Sequence, residues 1–95
     1  MKLSVNELRI GNFVNRLGKQ TVIKVIQHTE QVDFVSTPLS GAITINQIEP
    51  IPLTEEWLIK LPDDVGIIPL WVDFVHQLQN WYWVKNKCEK ELIFK

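Results

Sequence analysis

One cysteine, one methionine and one tyrosine occur in 95 residues, and the four glycines stand singly at positions 11, 18, 41 and 66. A lone Cys88 excludes an internal disulfide and fits a reducing compartment. Scattered glycines exclude a glycine-rich phosphate loop. No apolar run approaches the ~20 residues that a membrane span needs, and Asn6, Glu7 and Arg9 interrupt the run that a signal peptide requires. A cytoplasmic protein is therefore expected. A strong excess of one charge is also missing, since the net charge is −1, and a generic nucleic-acid binder usually carries a basic surplus.

Catalytic patterns are equally sparse. His28 and His76 have no metal-ligand spacing, and pairing His76 with Asp73 supplies two ligands where a structural zinc takes four. Cys88 has Lys85, Lys87 and Lys90 beside it in sequence, a setting that lowers a thiol pKa. Nothing nearby supplies the base and oxyanion site that a nucleophile needs. Asp63 and Asp64, within "LPDDVG", read as a polar turn rather than a carboxylate dyad. The expectation is a protein that is not an enzyme and uses no cofactor or metal.

What the chain does contain is an ordinary globular composition, 45% hydrophobic and 22% charged. At this length one domain spanning residues 1–95 is expected, burying roughly 60–65% of its unfolded surface. Its charges are unevenly placed. Residues 1–24 carry Lys2, Arg9, Arg16, Lys19 and Lys24 against Glu7 alone. Residues 25–84 carry Glu30, Asp33, Glu49, Glu55, Glu56, Asp63, Asp64 and Asp73 against Lys60. Such an acidic middle suits docking on a basic partner surface.

The hydrophobic period divides the chain near Thr54. Before it, "IGNFVN", "TVIKVIQHT", "QVDFVST" and "SGAITIN" read as four short strands, with "RLGKQ" as a turn in which Gly18 takes positive φ. Ser4 and Glu7 have the capping-box spacing of a single N-terminal helical turn. After it, Thr54 caps a short helix over 55–60 that Pro62 ends, with Glu55 and Glu56 in its first turn. Asp73 then caps a longer helix over 74–86. The fold class predicted is α+β: a small antiparallel SH3-like sheet or barrel, a short helix, a longer helix, and "ELIFK" as a C-terminal strand.

On the longer helix Phe74, Val75, Leu78, Trp81 and Tyr82 form one stripe, so most of the block "FVHQLQNWYW" is core wall. Trp83 lies about 80° from Val75 at 3.6 residues per turn, outside the stripe. With His76, Gln77, Gln79 and Asn80 it makes a polar helix face suited to a protein partner or an RNA base stack. The candidate partner-binding residues are thus Trp83, His76, Gln79 and Asn80. If "ELIFK" covers Trp83, docking passes to the acidic segment around Asp63 and Asp64. The competing expectation is an RNA-binding barrel that uses Arg16, Lys19 and Lys24.

Three blocks, "NELRIGN" (6–12), "PIPLTEEWL" (50–58) and "VHQLQNWYW" (75–83), resemble small proteins of Bacteroidota phages and mobile elements. The similarity spans nearly the whole chain. The stretch "PDDVGIIPLWVDF" is shorter than in that group, and "VKNKCEKEL" replaces its usual "LTGEEL". The resemblance brings no catalytic residues. It implies an accessory protein carried by invading DNA, a setting that includes anti-CRISPR inhibitors. The partner so implied is the RNA-guided type VI nuclease or its RNA complex; the chain's size and single cysteine lead us to expect a monomer.

Overall fold

In a computed structural model, residues 3–30, 32–38 and 40–95 are described. The N-terminal half is antiparallel sheet, because its β-branched residues alternate between a shared interior and solvent. β1 (Phe13–Arg16) and β2 (Lys19–Val22) form a hairpin. Its two-residue turn places Leu17 at φ 54° and Gly18 at φ 77°, the primed geometry whose twist matches the strands.

The segment "TVIKVIQHT", read as one strand, is divided between two sheets. Ile23 still belongs to the first: its N–H donates to Asn12 O at 2.9 Å and its carbonyl accepts from Gly11 at 2.8 Å. One residue later, the Lys24 N–H donates to Ser36 O at 2.8 Å. From there β3 (Val25–His28), β4 (Asp33–Thr37) and β5 (Ser40–Thr44) build a second sheet in that order. The corner residue Ile23 is fully buried, so the change of sheet is anchored by apolar packing.

After a 3-10 helix at Ile45–Gln47 the chain returns to the first sheet, where Glu49 and Asn15 exchange both backbone hydrogen bonds at 2.8 Å. The strands curl around Leu3, Leu8, Val14, Ile23, Val35 and Ile48. The expected barrel is corrected here. Pairing is split into two- and three-stranded sheets with no closed ladder among the described residues.

Past Thr54 the regular elements are helices, as the period predicts. α1 (Glu55–Leu58) is one turn and α2 (Val75–Lys85) spans eleven residues. Asp73 does not cap α2; Gln77 reaches back, its Oε1 accepting from Phe74 N–H at 3.1 Å and Asp73 N–H at 2.8 Å. Leu78 and Tyr82 pack with Val65, Val72 and Leu92 in a second apolar cluster, with Trp81 half-buried beside them. The C-terminal strand is also corrected. "ELIFK" joins no ladder; Leu92 packs in that cluster, Phe94 lies against Trp57 at 4.9 Å and Phe13 at 5.7 Å between ring centroids, and a backbone bond runs from Lys95 N–H to Lys60 O at 2.7 Å.

Candidate functional site

The helix face expected to meet solvent is turned inward. His76 is 0% and Gln79 3% exposed, and Asn80 and Trp83 are half-buried. A helix packed on one side only leaves its amides in water. α2 lies between the second apolar cluster and the chain at 7–13, so both of its faces are covered.

Each amide there finds a complementary group. Gln79 Oε1 accepts from Phe13 N–H at 2.7 Å while its Nε2 donates to Gly11 O at 3.1 Å. Asn80 Nδ2 donates to Glu7 O at 2.7 Å, and its Oδ1 accepts from Asn12 Nδ2 at 2.8 Å and Arg9 Nε at 3.3 Å. Asn12, itself fully buried, accepts the Arg9 N–H at 2.6 Å. Gly11 sits at φ 98°, a conformation that frees its carbonyl for Gln79 and that a side chain would resist.

His76 completes the contact, with Nε2 2.9 Å from Glu7 Oε1. Burial holds this imidazole below its ordinary value of 6.5, and the Glu7 carboxylate only partly opposes the shift. Glu7 is thereby taken from the capping box that its spacing predicts. Ser4 alone serves the N-terminal turn, accepting from Asn6 N–H at 3.3 Å.

Trp83 is half-buried, with Arg9 over its ring. The Arg9 guanidinium lies 4.7 Å from the ring centroid and forks onto both carboxylate oxygens of Glu91, which starts "ELIFK". The residues of "NELRIGN" and "VHQLQN" therefore meet face to face. Together they make an internal joint rather than a groove.

The acidic residues lie elsewhere. Asp64 accepts from the Tyr82 hydroxyl at 2.9 Å and pairs with Lys90. Lys90 first, and then Tyr82, hold its carboxyl below the usual range, and Asp64 in turn raises the Lys90 ammonium. Asp63 is exposed, with Lys95 at 3.5 Å. Glu55, Glu56 and Asp73 are exposed and have no ion pair among the described residues. They share one region, because Leu53 N–H donates to the Asp73 carbonyl at 2.9 Å.

Beside this acidic region stands a feature that strand-and-helix reading misses. Within 65–72 Val65 and Val72 are buried, whereas Ile67 is 93%, Leu70 100% and Trp71 59% exposed. A turn closed by Val72 N–H to Pro69 O at 3.2 Å puts Leu70 and Trp71 at its tip. Lys85 fixes the base of the loop by donating to the Val65 carbonyl. The available signal was the run "IIPLW", too apolar for a loop and broken by a proline.

Of the basic candidates, Arg16 is half-buried and reaches Gln47 O at 3.5 Å, while Lys19 and Lys24 are exposed. No three His, Cys, Asp or Glu side chains converge as a metal site among the described residues, and no helix among them is long and apolar enough to cross a membrane. Comparison with protein-family models, with curated proteins and with solved structures finds no match to this chain.

Proposed function

We propose that this protein acts by binding rather than by catalysis, as a monomeric inhibitor that docks on an RNA-guided nuclease of the type VI class. The observation that carries this reading is the exposure of Glu55, Glu56 and Asp73 without an ion pair among the described residues, on segments that the Leu53–Asp73 hydrogen bond ties together. Carboxylates left without lysine or arginine partners are available to a basic surface, and a nucleic-acid channel is such a surface. The named partner comes from the resemblance of the "NELRIGN", "PIPLTEEWL" and "VHQLQNWYW" blocks to proteins of mobile elements.

On this reading Trp83, His76, Gln79 and Asn80 hold the fold, and docking falls to the acidic segment. Asp63 is paired with Lys95 and Asp64 with Lys90 and Tyr82, so docking rests on Glu55, Glu56 and Asp73, whose carboxylates are unpaired among the described residues.

The test is cleavage of a reporter RNA by a purified type VI nuclease–guide complex, with and without the protein. Inhibition that weakens with added salt and is lost in Glu55→Lys/Glu56→Lys/Asp73→Lys supports the proposal. Absence of both binding and inhibition defeats it. Salt-sensitive binding of RNA by the isolated protein, lost in Lys19→Ala/Lys24→Ala, favours the RNA-binding alternative instead.

A further inference from the structure

The exposed loop invites a sharper statement, which rests on the binding role proposed above. Ile67, Leu70 and Trp71 stand outside the fold although their neighbours Val65, Ile68 and Val72 pack into the second cluster. Three large apolar side chains on one short loop are more than the scattered single exposures of an ordinary surface. The loop is not slack. Its base is held by Lys85 at the Val65 carbonyl, Gly66 takes φ 78° to make the bend, and the Pro69–Val72 turn fixes its tip. A ridge held in place before docking loses little freedom on binding.

Its surroundings select an occupant. Asp73 lies two residues beyond Trp71, and the Leu53–Asp73 hydrogen bond ties it to the segment that leads into Glu55 and Glu56. The apolar tip therefore leads directly into Asp73, which, like Glu55 and Glu56 on the segment tied to it, has no basic partner among the described residues. A second copy of this chain would set acid against acid, an arrangement that penalises self-docking.

We infer that the Ile67–Leu70–Trp71 ridge inserts into an apolar cleft on a partner protein whose rim carries lysine or arginine, with Glu55, Glu56 and Asp73 meeting that rim. Trp71 is the anchor, since tryptophan is among the commonest residues at interface hot spots. Leu70 fills the cleft beside it.

Leu70→Asp is the most direct test, because a fully exposed side chain is replaced and the melting temperature should not move. Binding to the purified type VI nuclease–guide complex should weaken at least about tenfold, in line with a hot-spot loss. Wild-type binding with unchanged affinity in Leu70→Asp overturns the ridge while leaving the proposed function standing.

If the wild type does not bind that complex, the proposed function fails and a second measurement decides the ridge. A photo-crosslinking residue placed at position 70 in bacterial cells is compared with one at position 17, on the exposed hairpin turn. A crosslink from position 70 into an apolar, lysine- or arginine-flanked segment of another protein, lost in Glu55→Lys/Glu56→Lys/Asp73→Lys, upholds the inference. Crosslinks into this chain itself, or none above the position-17 control, overturn it.

Discussion

His76 shows how far a single side chain departs from its sequence reading. A histidine among glutamines on a helix looks solvated, yet its ring is enclosed, with Phe74 stacked 6.0 Å away and Glu7 on Nε2. An ionised Glu7 only accepts, so Nε2 carries the proton and Nδ1 is the bare nitrogen, buried with no partner among the described residues. Protonation would place a charged N–H where nothing receives it. The folded state consequently binds this proton less readily than the unfolded chain, whose imidazole titrates near 6.5. By linkage the fold is at full strength above that value and loses stability as pH falls below it, by at most about 1.4 kcal/mol per pH unit for one group. Urea melts at pH 7.5 and 5.5 should show the loss in the wild type. His76→Gln keeps a donor for Glu7 and removes the titration, so its two midpoints should lie closer together. Equal pH sensitivity in both proteins would move the effect to another group.

At the scale of elements, the sequence was most legible where the period was unbroken. β4 and α2 appear within two residues of the ranges read from alternation and stripe, and the hairpin turn at Leu17 and Gly18 falls inside "RLGKQ". The split of "TVIKVIQHT" was not legible, because the break at Ile23 and Lys24 has no glycine or proline to mark it; tertiary pairing makes the corner. The C-terminal segment misled for the opposite reason. Its alternation is genuine, but Leu92 and Phe94 serve packing against helices instead of a ladder.

The hairpin turn also contains a mismatch between residue and backbone. Leu17 holds φ 54° with its side chain largely in water, a conformation that favours asparagine or glycine. Leu17→Asn should therefore stabilise the protein by about 0.5–1 kcal/mol, whereas Gly18→Ala, forced to φ 77°, should destabilise it by a similar amount or more. Paired thermal melts check both signs. A Leu17→Asn variant that melts below wild type would mean that this leucine packs in a way its exposure conceals.

For the whole molecule the question is what joins the two apolar clusters. α2 gives Leu78 and Tyr82 to one cluster, and on its other side Gln79 and Asn80 bond to the chain at 7–13, whose Leu8 belongs to the other. The joint was hidden in sequence because glutamine and asparagine at exposed and at buried positions are spelled alike; only the backbone groups they meet distinguish them. Those groups also set the cost of losing one. Gln79→Leu leaves the Phe13 N–H and the Gly11 carbonyl without their partner at a contact that is largely out of water, about 1–3 kcal/mol for each, so roughly 2–6 kcal/mol in all. In a chain this small that is a large share of the total stability. Thr37 supplies the contrast, for its hydroxyl is buried without a partner among the described residues, so Thr37→Val removes a polar burden and should be neutral or slightly stabilising. Urea denaturation of the two variants should separate them widely. If Gln79→Leu is as stable as wild type, the amide joint is incidental and apolar packing alone positions α2.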